Sequence, residues 1–166
     1  MLKSGTRLLG IDPGLIVSGF TILSIEGSSR TISMHECNFL PLAATKSLAE
    51  RIAIFHDFFS QKITQHAITD IAIETPFLGK NAQNFLKLGY LRGIIHLLSA
   101  QSNLILHEFS PSQIKQAITG TGGASKEQVA YMILQLFPRL QQPKKYDVTD
   151  AVAVALCALW HQKKLV

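Results

Sequence analysis

Hydrophobic and polar positions change period several times along this chain. Arg7 to Asp12 is a short apolar run closed by Asp-Pro-Gly, a turn signal. Ser18 to Ile25 and Arg30 to Cys37 alternate in part and are set off by Gly and Ser residues, so the three runs predict an antiparallel meander. From about Thr45 to Thr64 the period becomes helical, with Leu48, Ile52, Phe55, Phe59 and Ile63 forming one stripe. Asp70 to Glu74 predicts a buried strand ending in a carboxylate. A long helix is predicted from about Asn81 to Ala100, with Gly89 and Gly93 on one face where a neighbour can come close. Asn103 to Phe109 predicts another strand. Ser110-Pro111-Ser112-Gln113 and Ser125-Lys126-Glu127-Gln128 are capping boxes that start two further helices, ended by Gly120 and Pro138. Gln141 to Lys145 is a polar linker. The last helix starts near Asp147 and is apolar all round from Ala151 to Trp160, so it belongs inside the core.

Three strands, then helices alternating with strands, predict an α/β fold: one mixed sheet of about five strands with helices on both faces. No repeat or composition shift marks a second domain, so residues 1–166 are expected to form one. At 47% apolar residues the chain is not disordered, and its 16% charged share is below the roughly 25% usual for soluble domains. Cys37 and Cys157 are too few for a disulfide framework or a thiolate metal site and read as small buried hydrophobes. No apolar h-region follows Lys3 and Arg7, and the ten residues Ala151 to Trp160 are half of what a bilayer span requires, about twenty. A cytoplasmic setting without a membrane is expected. The net charge of +5 favours polyanions.

Acids are scarce, eleven in all, so their placement is informative. Asp12 and Glu74 each end a predicted strand, and Asp147 and Asp150 lie three apart at a helix start, on one face. Taken singly, each has an ordinary explanation: a turn former, an exposed strand end, helix capping. Taken together, they can converge. At ~4 Å and an effective dielectric near 20, each like-charge pair costs about 4 kcal/mol, so such a cluster persists only if protonated or bound to cations. Hard oxygen donors suit Mg2+ or Mn2+. Two such ions about 3.5–4 Å apart can activate water and stabilise the leaving oxygen of a phosphodiester. A basic chain with such a site reads as a nuclease.

Several segments in order resemble the RuvC family of Holliday junction resolvases. They are Leu-Gly-Ile-Asp-Pro-Gly (9–14), Ala-Ile-Glu (72–74), Phe77, Lys80-Asn81-Ala82, Leu86-Lys87-Leu88-Gly89, Arg92-Gly93, Lys115-Gln116, Gly120-Thr121-Gly122 before Lys126, and Asp-x-x-Asp-Ala-Val-Ala-Val-Ala (147–155). They run from about residue 8 to 160. The resemblance implies an RNase H-like fold, a homodimer, and Mg2+-dependent cutting of four-way junction DNA by paired nicks, in recombination and repair. A branch-migration complex is the implied partner. Asp12, Glu74, Asp147 and Asp150 match the four catalytic carboxylates, Phe77 the junction-contacting aromatic, and Lys115 and Lys126 the functional lysines. Thr75-Pro76 departs from the pattern and stiffens the loop before Phe77.

Phe77 has two readings, a core-edge residue or a wedge against an unpaired base. Lys80 and Lys87 share a helix face, either as solvated charges or as phosphate contacts. None of the six histidines has ligand spacing. The competing functions are another RNase H-like nuclease acting on RNA, and a catalytically idle nucleic-acid-binding module. The four carboxylates argue against the second. A sugar kinase or actin-like ATPase needs two such domains.

Overall fold

The structure is a computed structural model that describes residues 5–27, 31–75, 82–138, 140 and 146–161, the side chain of His161 excepted. Its elements are β1 (Arg7–Asp12), β2 (Val17–Glu26), β3 (Thr31–Pro41), α1 (Leu48–Gln65), β4 (Asp70–Glu74), α2 (Ala82–Gln101), β5 (Ile105–Phe109), α3 (Pro111–Thr119), α4 (Lys126–Leu136) and α5 (Asp147–His161). The strands form one sheet in the order β3-β2-β1-β4-β5. The β1-β2 and β2-β3 pairs are antiparallel, and the β1-β4 and β4-β5 pairs are parallel. This is the mixed five-stranded arrangement expected for an RNase H-like fold.

The sheet separates two cores. On one face Leu9, Ile11, Ile22, Ile71 and Ile73 meet Phe55 and Phe59 of α1 and Leu91, Ile95 and Leu98 of α2. On the other, Leu8, Leu23 and Ala72 meet α5, with Ile114, Ile118, Val129 and Ile133 of α3 and α4 packed outside it. Adjacent β1 residues Leu8 and Leu9 therefore serve opposite cores, which is why β1 is apolar throughout. Helix α5 is buried continuously from Ala151 to Leu159, as its apolar circumference requires.

Glycine sets how closely α5 lies on the sheet. A Cβ at Gly10 would stand 2.5 Å from the Ala151 carbonyl oxygen, and one at Gly19 only 1.9 Å from that of Asp147. Both obstacles are backbone and cannot rotate away.

Three elements differ from expectation. Strand β3 continues to Pro41 because β2 offers partners as far as Val17, and the register shifts between Ile22 and Leu23, leaving His35 without an opposite residue. Helix α1 starts at Leu48, not Thr45, because Ser47 and Glu50 form a third capping box. Strand β5 starts at Ile105 because Asn103 turns the chain at φ 52. The two expected capping boxes and the left-handed Gly120 cap are present. The linker 141–145 lies outside the described residues.

Gly19→Ala is expected to force α5 off the sheet and destabilise the protein by about 1–3 kcal/mol or more. Gly123→Ala, with nothing within 4 Å, is the control and should change little. Urea midpoints of the two variants check this.

Candidate active site

Asp12 and Glu74 come together because β1 and β4 are parallel neighbours with Ile11 opposite Ile73. Each acid is the next residue along its strand, so both stand at the carboxyl edge of the sheet, where open α/β sheets place their sites. Side chains alternate in strands. Gly10 faces α5 and Ala72 lies in the α5 core, so Asp12 and Glu74 face α5 as well. Opposite Asp12 on β2 is Gly19, and over Gly19 lies the backbone of Asp147. The first turn of α5, carrying Asp147 and Asp150, is thereby brought to the edge that carries Asp12 and Glu74. Carboxylates there also suit the positive end of the helix dipole.

The four acids share one electrostatic field. Burial, then the charges of Asp150, Glu74 and Asp147, push the Asp12 pKa up to about 8, with Lys126 opposing. Glu74 is also raised, by burial and then Asp150, against the pull of Lys126, Lys115 and Arg92. Lys126 Nζ donates to Asp150 Oδ2 at 2.9 Å. Burial disfavours the Lys126 charge, but the bond to Asp150 and the fields of Asp150, Asp12 and Glu74 outweigh it and raise the Lys126 pKa. The cluster thus calls for positive charge, and one internal cation supplies part of it. Among the described residues, no three His, Cys, Asp or Glu side chains are drawn together tightly enough to cage an ion. The donor set itself, four hard-oxygen carboxylates with Asp12 and Glu74 raised by burial and by their neighbours' charges, suits a divalent cation in its chemistry.

The loops that carry the acids are fastened. Ser18 Oγ accepts from the Gly14 N–H at 3.1 Å and donates to the Gly14 carbonyl at 3.0 Å, closing the turn after Asp12. Arg51 donates to the Leu15 carbonyl at 2.9 Å. On the other side Arg92, nearly buried in α2, donates from one nitrogen to the Glu74 carbonyl and from another to Glu108 Oε1. The Thr75 N–H bonds the Phe109 carbonyl at 2.7 Å. Arg92 was visible in the sequence only as part of a motif. Its signal was a lone cation in the apolar run Leu91 to Leu98, readable once the opposite strand was known.

The structure therefore gathers Asp12, Glu74, Asp147, Asp150, Lys115 and Lys126. Lys87 is exposed on α2, and Phe77 and Lys80 lie outside the described residues. Five histidines, His35, His56, His66, His96 and His107, each stand beside a carboxylate other than these four. Burial pushes both thiols up to about 11; Cys157 is buried, whereas Cys37 is only partly so.

The fold and an edge cluster of four carboxylates define an α/β nuclease-like protein. The family model of the crossover junction endodeoxyribonuclease RuvC matches residues 8–158. A protein of that name from Chlorobium phaeovibrioides is 43% identical over 154 residues, which cover 92% of this chain and 80% of that one. One from Pelodictyon phaeoclathratiforme is 41% identical over 152 residues, covering 92% and 78%. The chain belongs to the RuvC family. The solved structure of Thermus thermophilus RuvC in complex with a Holliday junction substrate superposes with a TM-score of 0.85 at 22% identity, covering 95% of each chain, and shares the fold.

A raised pKa means that folded Asp12 holds its proton more tightly than the unfolded chain does. The resulting stability is full below the ordinary aspartate value of about 3.9 and is lost as pH rises through about 8. Asp12→Asn removes that loss. Without metal, the variant should become progressively more stable than wild type as pH rises from about 5 to about 9. Denaturant unfolding in EDTA across this range checks it, and parallel profiles would contradict the raised value.

Proposed function

We propose that this chain is a structure-specific endodeoxyribonuclease that resolves four-way DNA junctions by paired nicks, in recombination and repair. The observation that carries this is the convergence of Asp12, Glu74, Asp147 and Asp150 at one sheet edge, in a chain that matches the RuvC family from residue 8 to 158. The family is metal-dependent. The four carboxylates would hold Mg2+ or Mn2+, two ions per site. Bound there, the ions supply the positive charge that activates water and stabilises the leaving oxygen.

The chain's own residues position and screen. Arg92 holds the backbone of Glu74 against β5. Lys126 has a side chain 65% exposed, so it can turn from Asp150 toward a phosphate. Lys115 adds positive charge beside Glu74. Lys80 and Lys87 contact phosphates, and Phe77 stacks at the opened junction centre. Residues 1–166 work as one nuclease unit, in the cytoplasm, on junctions delivered by a branch-migration complex. No helix among the described residues is long and apolar enough to cross a membrane.

Two nicks need two sites, and helix α2 offers the surface for a homodimer. Its inner face is buried, yet Leu86, Tyr90 and Leu97 are exposed at 65%, 56% and 45%. With Gly89 and Gly93, at which a Cβ would meet nothing within 4 Å, they form one apolar stripe that no described part of the chain covers.

The test is incubation with a four-way junction, a matched duplex and an RNA–DNA hybrid in Mg2+. Cutting of the junction alone supports the proposal, and preference for the hybrid supports the RNA-directed alternative. Asp12→Asn, Glu74→Gln, Asp147→Asn and Asp150→Asn should each lower cleavage roughly 100-fold or more while sparing junction binding. Arg92→Lys keeps the charge but loses the fork, so its single-turnover rate should fall roughly tenfold at unchanged affinity. For assembly, sedimentation should show a dimer of the wild-type chain at micromolar concentration and a monomer of Tyr90→Asp.

A further inference from the structure

Most described phenylalanines serve a core: Phe20, Phe55, Phe59 and Phe109 are at most 6% exposed. Phe39 is 47% exposed, and its position is specific. It lies opposite Gly19 on β2, which lies opposite Asp12 on β1, so the three share one row across the sheet. Its face is fixed by its neighbours in β3. Glu36 reaches Lys62 of α1 on one side, and Cys37 packs against the α5 core on the other. Phe39, two residues beyond Cys37, faces the α5 side with Asp12. Two strand spacings separate it from Asp12, about 10 Å.

A second exposed ring belongs to the residue that leads into α5. Tyr146 is 45% exposed and immediately precedes Asp147, whose carbonyl overlies Gly19. Its own carbonyl accepts from the Asp150 N–H at 2.8 Å and from Thr149 Oγ1 at 2.9 Å, so its backbone is held on the first turn of α5. Phe39 lies on the β3 side of Asp12, and Tyr146 belongs to the turn that delivers Asp147 over Gly19, the residue between Asp12 and Phe39.

We propose that Phe39 and Tyr146 form a stacking site for a nucleobase of the strand being cut, a few nucleotides from the phosphate at the carboxylates. This rests on the nuclease reading above. Three features favour a base over a protein partner. Phe39 shares the row of Asp12 and Tyr146 adjoins Asp147, so a strand held at Asp12 can continue past them. The chain is basic and attracts a polyanion. Aromatic faces accept any base, which suits an enzyme directed by junction shape.

The experiment uses the full-length protein and a four-way junction carrying 2-aminopurine at successive positions flanking the nick, with Ca2+ in place of Mg2+ to hold the complex uncut. Stacking should change the fluorescence at one or two adjacent positions on the cut strand. Phe39→Leu and Tyr146→Leu keep apolar volume but lose the ring. At least one should abolish that signal and weaken junction binding about tenfold. Phe39→Trp should retain both, and thermal melts of all variants should stay close to wild type because the rings are half exposed. If both leucine variants keep the signal and bind within about twofold of wild type, the proposal is overturned. If wild-type protein neither binds nor cuts the junction, the nuclease reading itself fails, a result the variants cannot mimic.

Discussion

The contact on which the molecule depends is backbone against backbone: α5 laid on the sheet where Gly10 and Gly19 leave no side chain between. That approach does two jobs at once. It lets α5 fill one whole core, and it carries Asp147 to the row of Asp12. The two jobs are energetically opposed. A like-charge pair at ~4 Å costs about 4 kcal/mol at an effective dielectric near 20. One fully buried Val or Leu contributes about 1.5–3 kcal/mol, and Val148, Val152, Val154, Leu156 and Leu159 are all buried on α5. Burial wins, and Asp12 and Glu74 carry raised pKa values in the folded protein, first through their own burial and then through the charges of their neighbours.

The rest of the architecture confines that repulsion. Arg92 and the Thr75–Phe109 bond anchor one carboxylate strand, and the Ser18 bracket and Arg51 anchor the other. On the far side of the sheet Lys62 binds both oxygens of Glu36 at 2.6 and 2.7 Å and lies 5.5 Å from the ring centres of Phe20 and Phe58. This ties α1 to β3, so the sheet edge bearing the acids is braced from behind. The acids cannot relax apart without breaking backbone-level contacts, so protonation of Asp12 and cation binding are the routes to relief.

Much of this was legible from the chain because local chemistry announces it. Strand ends, two capping boxes and an all-apolar helix are short-range signals, and eleven acids in 166 residues make a pattern of four conspicuous. What stayed hidden was relational. A glycine inside a strand, as at Gly10, reads as mere weakness until the helix across from it is known. Arg92 looks like a solvent residue until Glu108 and the Glu74 carbonyl close around it. Lys126 reads from the resemblance as a functional lysine, and the acid it pairs with stands twenty-four residues on. The end of β3 was hidden because Asn38 and Phe39 are both exposed, which breaks the alternation that strand reading needs.

Element order also has a bearing on how the protein is made. Translation delivers the five strands before α5, and chains fold as they emerge. Until residues 147–161 leave the ribosome, the nascent sheet holds two carboxylates and lacks the helix that covers Leu8, Leu23 and Ala72. Such a chain exposes apolar surface and holds half of the acidic set. The fifteen residues of α5 close that core and bring the second pair of carboxylates in the same step.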